Sequence, residues 1–214
     1  MELALSSLHL LIAASAVTIG LAVAAMAIGL VIGLLAAITR VGKVPVLEQF
    51  VRGYVSLIRG TPLLVQLFMI YYGLPQLGLP LEPIPSGIIA LSLNVGAYLS
   101  ESFRAAILSV PKGQYEAGLS LGMSYWTVMR RIIIPQSIRT ALPTIGNSFI
   151  SLLKDTSLVS VITVTELLRA TTLVIARTFQ PLTLYAEAAL IYWLLSSGFS
   201  LLQERIERRV SRHV

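Results

Sequence analysis

The chain contains no cysteine, a single aspartate (Asp155) and two histidines (His9 and His213), and only 12% of its 214 residues are charged. Each shortage excludes something. Without cysteine there is no disulfide framework, thiolate metal site or catalytic thiol. An aspartyl intramembrane protease needs two aspartates, a serine–histidine type needs a histidine deep in a helix, and a zinc type needs H-E-x-x-H; none of these is present. There is also no G-x-x-x-x-G-K-[ST] phosphate loop. Soluble domains are about a quarter charged. A chain that is 56% hydrophobic, with mean hydropathy +0.82, falls outside that class and reads as a membrane protein.

What is present is a series of long apolar runs. Between Glu2 and Arg40 no residue carries a fixed charge, and crossing about 30 Å of hydrocarbon takes about 20 residues. This run is too long for a signal peptide and lacks a basic leading segment, so it is expected to remain as a membrane span. Its small residues Ala24, Ala25, Gly29 and Gly33 suit close helix packing. Five spans are expected, at about 8–38, 54–78, 84–110, 139–163 and 182–204, in one transmembrane domain covering 1–214. At Gly60-Thr61-Pro62 the second run either starts a fresh helix capped by Thr61 or kinks one continuous helix. The four prolines after Leu74 predict an extended external loop. "TVTELLRATTLVIARTFQP" reads as an interfacial helix on the outer side.

Basic residues set the orientation. The group Arg40, Lys43, Arg52 and Arg59, the group Lys112, Arg130, Arg131 and Arg139, and the tail Arg205, Arg208, Arg209 and Arg212 fall on one side of five spans. Only Arg169 and Arg177 fall opposite. The N-terminus is therefore expected outside and the C-terminus in the cytoplasm. The net charge of +6 is then topological and implies no nucleic-acid partner.

The cytoplasmic stretch "QYEAGLSLGMSYWTVMRRIIIPQ" breaks the apolar pattern. It predicts a short helix over 115–121, a left-handed cap at Gly122, an N-cap at Ser124, and a second helix that Pro135 ends. Ala117 and Gly118 leave little bulk, so another surface can approach the first helix closely. Tyr115, Tyr125 and Trp126 supply aromatic anchors. A helix–turn–helix that reads DNA would need a soluble domain to carry it; an amphipathic loop on anionic lipid, through Arg130 and Arg131, is the plain alternative. The pattern reads as a docking element for a cytoplasmic partner.

Here the residues resemble a known family. Glu116-Ala117-Gly118, Gly122, Ile132 and Ile134-Pro135 follow the EAA loop of ABC importer permeases, with Gly118 in place of the third Ala and Ile134 in place of Leu. "IRGTPLLVQLFMIYYGLP", "AYLSESFRAAILSVPKGQ" and "LLKDTSL" extend the resemblance to permeases for polar amino acids, and within those to L-cystine importers. The resemblance implies an all-α type I importer fold of five transmembrane helices in the bacterial plasma (inner) membrane. It implies a dimer built from two copies, with one ATPase subunit docked on each EAA loop (111–136), and an extracytoplasmic binding protein that delivers an amino acid. ATP and Mg would sit on the ATPase, so this chain would bind no cofactor or metal and catalyse nothing. Glu116, Ala117, Gly118, Gly122, Ile132 and Pro135 would carry the coupling.

Ionisable groups inside spans are costly and usually face protein or a wet cavity. Glu101 has Asn94 and Tyr98 near its face, and Lys154–Asp155 is followed by Thr156 and Ser157. With Arg59 and Thr61 beside the Gly-Thr-Pro break, these are the candidate contacts for a zwitterionic substrate. The plain alternative is structural: an intrahelical Glu101–Arg104 pair, and a Lys154 bridge to another helix. A secondary transporter or channel, working without an ATPase, would use the same charges, but internal repeats that many such folds carry are not evident.

Overall fold

The computed structural model describes residues 2–211, all of them in helices and short connections. Arg212 and His213 lie outside the described residues. The first apolar run forms one helix, α1 (Glu2–Val41), longer at both ends than the expected span. The second does not form one continuous helix. It is α2 (Leu47–Gly60), strongly amphipathic, followed by α3 (Leu63–Phe68) at 110° to it, with α3 prolonged by a π turn and a 3-10 turn to Leu77. The break at Thr61–Pro62 is thus a fresh start, since proline lacks the N–H that would continue the ladder.

Thr61 does not cap α3, however. Its hydroxyl donates back to Leu57 O at 2.8 Å. The buried Gln66 closes the corner: its amide nitrogen donates to Ile58 O (2.8 Å), Thr61 O (3.0 Å) and Thr61 Oγ1 (3.0 Å), satisfying carbonyls that α2 leaves open.

The proline-rich loop is also shorter than expected, because α4 (Pro83–Ser109) begins at Pro83, with two of the prolines in its first turn. After α5 (Lys112–Ser120) and α6 (Tyr125–Val128), Pro135 does not end the helix. A π turn over Met129–Ile133 leads straight into α7 (Ile134–Asp155), and Pro135 lies just after that turn, whose wider winding accommodates a residue unable to donate to the ladder. A 3-10 stretch (Thr156–Ile162), α8 (Leu167–Thr178) and α9 (Pro181–Ser211) complete the chain.

The centre of the molecule is the α1–α4 pair. A Cβ at Gly29 would collide with Val95, and one at Gly33 would come within 2.8 Å of Leu99 Cβ, so these glycines let the two backbones approach. Ala25 is fully buried beside them. α8 is clipped between α1 and α9 by a buried N-cap: Glu166 accepts from Leu168 N (2.9 Å), Arg169 N (2.8 Å) and the Tyr192 hydroxyl (2.8 Å), while Thr18 Oγ1 takes Leu167 N at 3.1 Å.

By length and composition, two helices among the described residues qualify as membrane spans, Ser7–Val41 and Pro181–Arg209. Two bent pairs would each pass as a broken span: Leu47–Gly60 with Leu63–Leu77, and Tyr125–Ile162 with Leu167–Thr178. α4 is not among them, so the five expected spans are not reached on that measure. Several of its polar residues are buried in the protein, with Ser86, Ser92 and Ser100 almost wholly so. A helix at the centre of a bundle can carry groups that a lipid-facing helix cannot.

Candidate functional site

Two regions carry the chemistry. The first is the corner between α5 and α6. Met123 N donates to Gly118 O (3.2 Å) and Gly122 N to Leu119 O (2.9 Å), the paired bonds of a left-handed helix end, and Gly122 holds φ +75°. Ser124 then caps α6 by accepting from Thr127 N at 3.3 Å. Tyr115, Tyr125 and Trp126 stack edge to face, with ring centroids 5.9 and 5.4 Å apart.

The residues of the EAA-like pattern divide by face. Glu116 and Ala117 are exposed on α5, Gly122 is exposed at the turn, and Pro135 is exposed at the start of α7. Gly118 is buried instead: a Cβ there would stand 2.7 Å from Val128 Cγ2 and 3.2 Å from Ile132 Cδ1. Its smallness therefore seats α5 on this chain's own π turn, through the half-buried Ile132, and does not receive an outside surface. The outward patch includes a residue that sequence reasoning missed, Leu121, 81% exposed beside Trp126 at 69%. An apolar residue immediately before a capping glycine was the available signal.

The second region is a polar cavity of about 460 Å³ where α3, α4 and α7 meet. Thr61, Asn94, Tyr98 and Asp155 line it together. Thr144, Asn147, Ser148 and Ser151 complete it from α7 and were missed. Their spacing with Asp155 puts all five on one face of α7, a periodic signal legible in the sequence. Asn94 is oriented by donating to Gln66 Oε1 at 3.0 Å, so the α2–α3 corner also positions the cavity. Thr144, Asn147, Ser151 and Tyr98 are exposed, so the cavity stands open on that side.

Glu101 is not in the cavity lining. It anchors an ion cluster, accepting from Arg104 at 2.9 and 3.0 Å and from Arg40 of α1, with Arg59 of α2 at 3.8 Å. Arg104 is the expected intrahelical partner; the two inter-helix arginines were not anticipated. Arg59 also lies over the Tyr98 ring, 5.3 Å from its centroid, and so reaches the cavity's edge. Lys154 is exposed, whereas Thr156 is fully buried and donates to Leu153 O at 2.8 Å. Ser157 is half-buried outside the lining. Among the described residues no group of three or more His, Asp or Glu is placed to hold a metal.

The family described as "Binding-protein-dependent transport system inner membrane component" matches residues 29–212. The L-cystine transport system permease protein TcyB of Bacillus subtilis (strain 168) is 52% identical over 85% of this chain and 78% of its own length. The glutamine transport system permease protein GlnP of Escherichia coli (strain K12) is 40% identical over 73% of each. A solved structure, "Crystal structure of an amino acid ABC transporter with histidines", superposes with TM-score 0.88 at 39% identity over 94% of both chains. An inward-facing structure of the MetNI methionine ABC transporter has TM-score 0.71 at 19% identity over 98% of this chain and 97% of that one, a likeness of fold alone.

Proposed function

Because the chain belongs to the family of binding-protein-dependent transport system inner membrane components, we propose that it is the membrane subunit of an ATP-driven importer for polar amino acids, L-cystine foremost. A permease of this family is not itself catalytic and works with an ATPase and a binding protein. The observation that carries the reading is the pairing of a solvent-facing, doubly capped corner with a polar cavity in the same chain. The corner supplies a rigid handle for the ATPase: Glu116, Ala117, Leu121 and Trp126 project outward, while Gly118 and Ile132 lock the handle to α7. α7 is continuous with it through the π turn and carries the polar face of the cavity. A push on the handle therefore reaches the substrate face along one rod.

In the cavity, Asp155 accepts the substrate ammonium, and Asn94, Asn147 and the α7 hydroxyls, with Arg59 at the rim, receive the carboxylate. The open side of the cavity is closed by a second copy of the chain, so the pathway lies between two permeases. The N-terminus is outside and the corner is cytoplasmic. ATP and Mg are bound by the ATPase and not by this chain.

Uptake into vesicles containing the chain, its ATPase and the binding protein tests the proposal. Cystine should accumulate only with ATP, and glutamine should compete weakly; uptake that persists without the ATPase would instead indicate a secondary transporter. Glu116→Lys should cut the ATPase recovered with the permease about tenfold while the permease still inserts. Since the chain has no native cysteine, Leu77→Cys should react with an impermeant thiol probe from outside and Arg208→Cys only from the cytoplasmic side.

A further inference from the structure

A run of crevices follows α1 on the face away from the polar cavity. The first, about 290 Å³ between α1, α7 and α9, is lined by apolar residues except for Gln203, whose amide donates to Pro143 O at 3.1 Å. The second, about 350 Å³ between α1, α4 and α7, shares Leu30 and Ile145 with the first. Its one polar residue, Ser137, donates to Ile133 O at 2.8 Å and presents no free hydrogen. The third, about 340 Å³, shares Ile38 and Ile134 with the second and then changes character: Thr39, Lys43, Tyr125 and Trp126 line it. Adjoining through these residues, the three crevices line up as a trough along α1, apolar from Met26 to Ile38 and polar, basic and aromatic at its end.

We propose that this trough binds one anionic glycerophospholipid, with an acyl chain along α1 and the phosphate at Lys43. Three features select that occupant. From Met26 to Ile38 there are twelve residue steps, about 18 Å at 1.5 Å per step, close to half of the roughly 30 Å hydrocarbon thickness, so the apolar part is one leaflet deep. The crevices are small: volumes of about 290 and 350 Å³ fall well short of an 18 Å length of protein helix about 10–12 Å across, and suit a single hydrocarbon chain. At the end of the trough stands an exposed lysine, held at φ +49° in the α1–α2 turn, beside the 69%-exposed Trp126. A cation with an amphipathic ring is the pairing that anchors at the headgroup level. Tyr125 and Trp126 also belong to the docking corner, so the lipid braces that corner from the membrane side.

Trp126 is a natural reporter. The chain has two tryptophans, and Trp193→Phe leaves Trp126 alone. Full-length permease carrying this change is reconstituted with its ATPase into vesicles of phosphatidylcholine and phosphatidylglycerol, one or the other brominated on its acyl chains. Brominated phosphatidylglycerol should quench Trp126 with about a fivefold preference over brominated phosphatidylcholine, the effect of one lysine near an anionic headgroup. Lys43→Gln should abolish the preference and Lys43→Arg should keep it. Arg131→Gln, an equal loss of charge outside the trough, should also keep it. Equal quenching by both lipids would overturn the proposal, as would a preference that survives Lys43→Gln or disappears with Arg131→Gln. Absence of quenching by either lipid would show the trough covered by protein, and would equally overturn it.

Discussion

The docking corner and the polar cavity are built by opposite strategies. The corner spans Lys112 to Ile133, and most of what shapes it is local: a left-handed glycine, an N-cap three residues before the N–H it satisfies, and aromatic rings stacked between neighbouring short helices. The cavity draws Thr61, Asn94, Tyr98 and Asp155 from positions nearly a hundred residues apart, and its walls are set by a buried glutamine and an ion cluster on other helices. A corner of this kind is robust to changes elsewhere in the chain. A cavity of this kind can be lost by a substitution that never touches the substrate.

Glu101→Gln should have the largest effect, because it removes the one carboxylate from among three guanidinium groups while touching neither region. With the Glu101 side chain 22% exposed, the cost is below that of a fully buried pair, about 2–3 kcal/mol. It should appear as a lower thermal unfolding midpoint in detergent, and ATPase recovery should fall only as far as folded permease does. If stability is unchanged and substrate preference shifts instead, Glu101 belongs to the cavity and the division between anchor and lining fails.

Asp155→Asn sharpens the comparison from the cavity side. Losing one charge-assisted contact to an ammonium should cut cystine uptake about tenfold, about 1.4 kcal/mol, with basal ATP hydrolysis and stability retained. Loss of assembly would make Asp155 a structural residue. Gly122→Val tests the corner with an effect of similar size but narrower reach. Space is open around that position, so the cost is that of a β-branched residue at φ +75°, about 1–2 kcal/mol, confined to the turn. ATP hydrolysis should become less dependent on substrate while the cavity still binds it; a global loss of stability would show that the corner is not an independent local unit.

The sequence was legible where structure is local, and it misled where packing intervened. Gly122 and Ser124 announce their turn because each meets a requirement of its own backbone. Gly118 was misread as a landing place because nothing in the string shows that Val128 and Ile132 fold back over it. Pro135 carries the usual stop signal, yet the helix ahead of it widens into a π turn and continues as α7. Gln66 looks like a stray amide in an apolar run; only the 110° fold between α2 and α3 gives it three acceptors and Asn94 as a donor.

Composition alone made this a membrane protein, since so few charges and such long apolar runs have no soluble solution, and local motif spacing alone marked the capped corner and pointed to the family. Which charges would be anchors and which would be lining was decided only in three dimensions. Glu101 and Asp155 are alike in the string, each a carboxylate within a helix. The difference lies in their neighbours: α1 and α2 bring two arginines onto Glu101, while Asp155 faces a cavity lined by hydroxyls and amides. A buried charge takes its role from the groups that long-range packing places around it, and those contacts are not written in the local order of the chain.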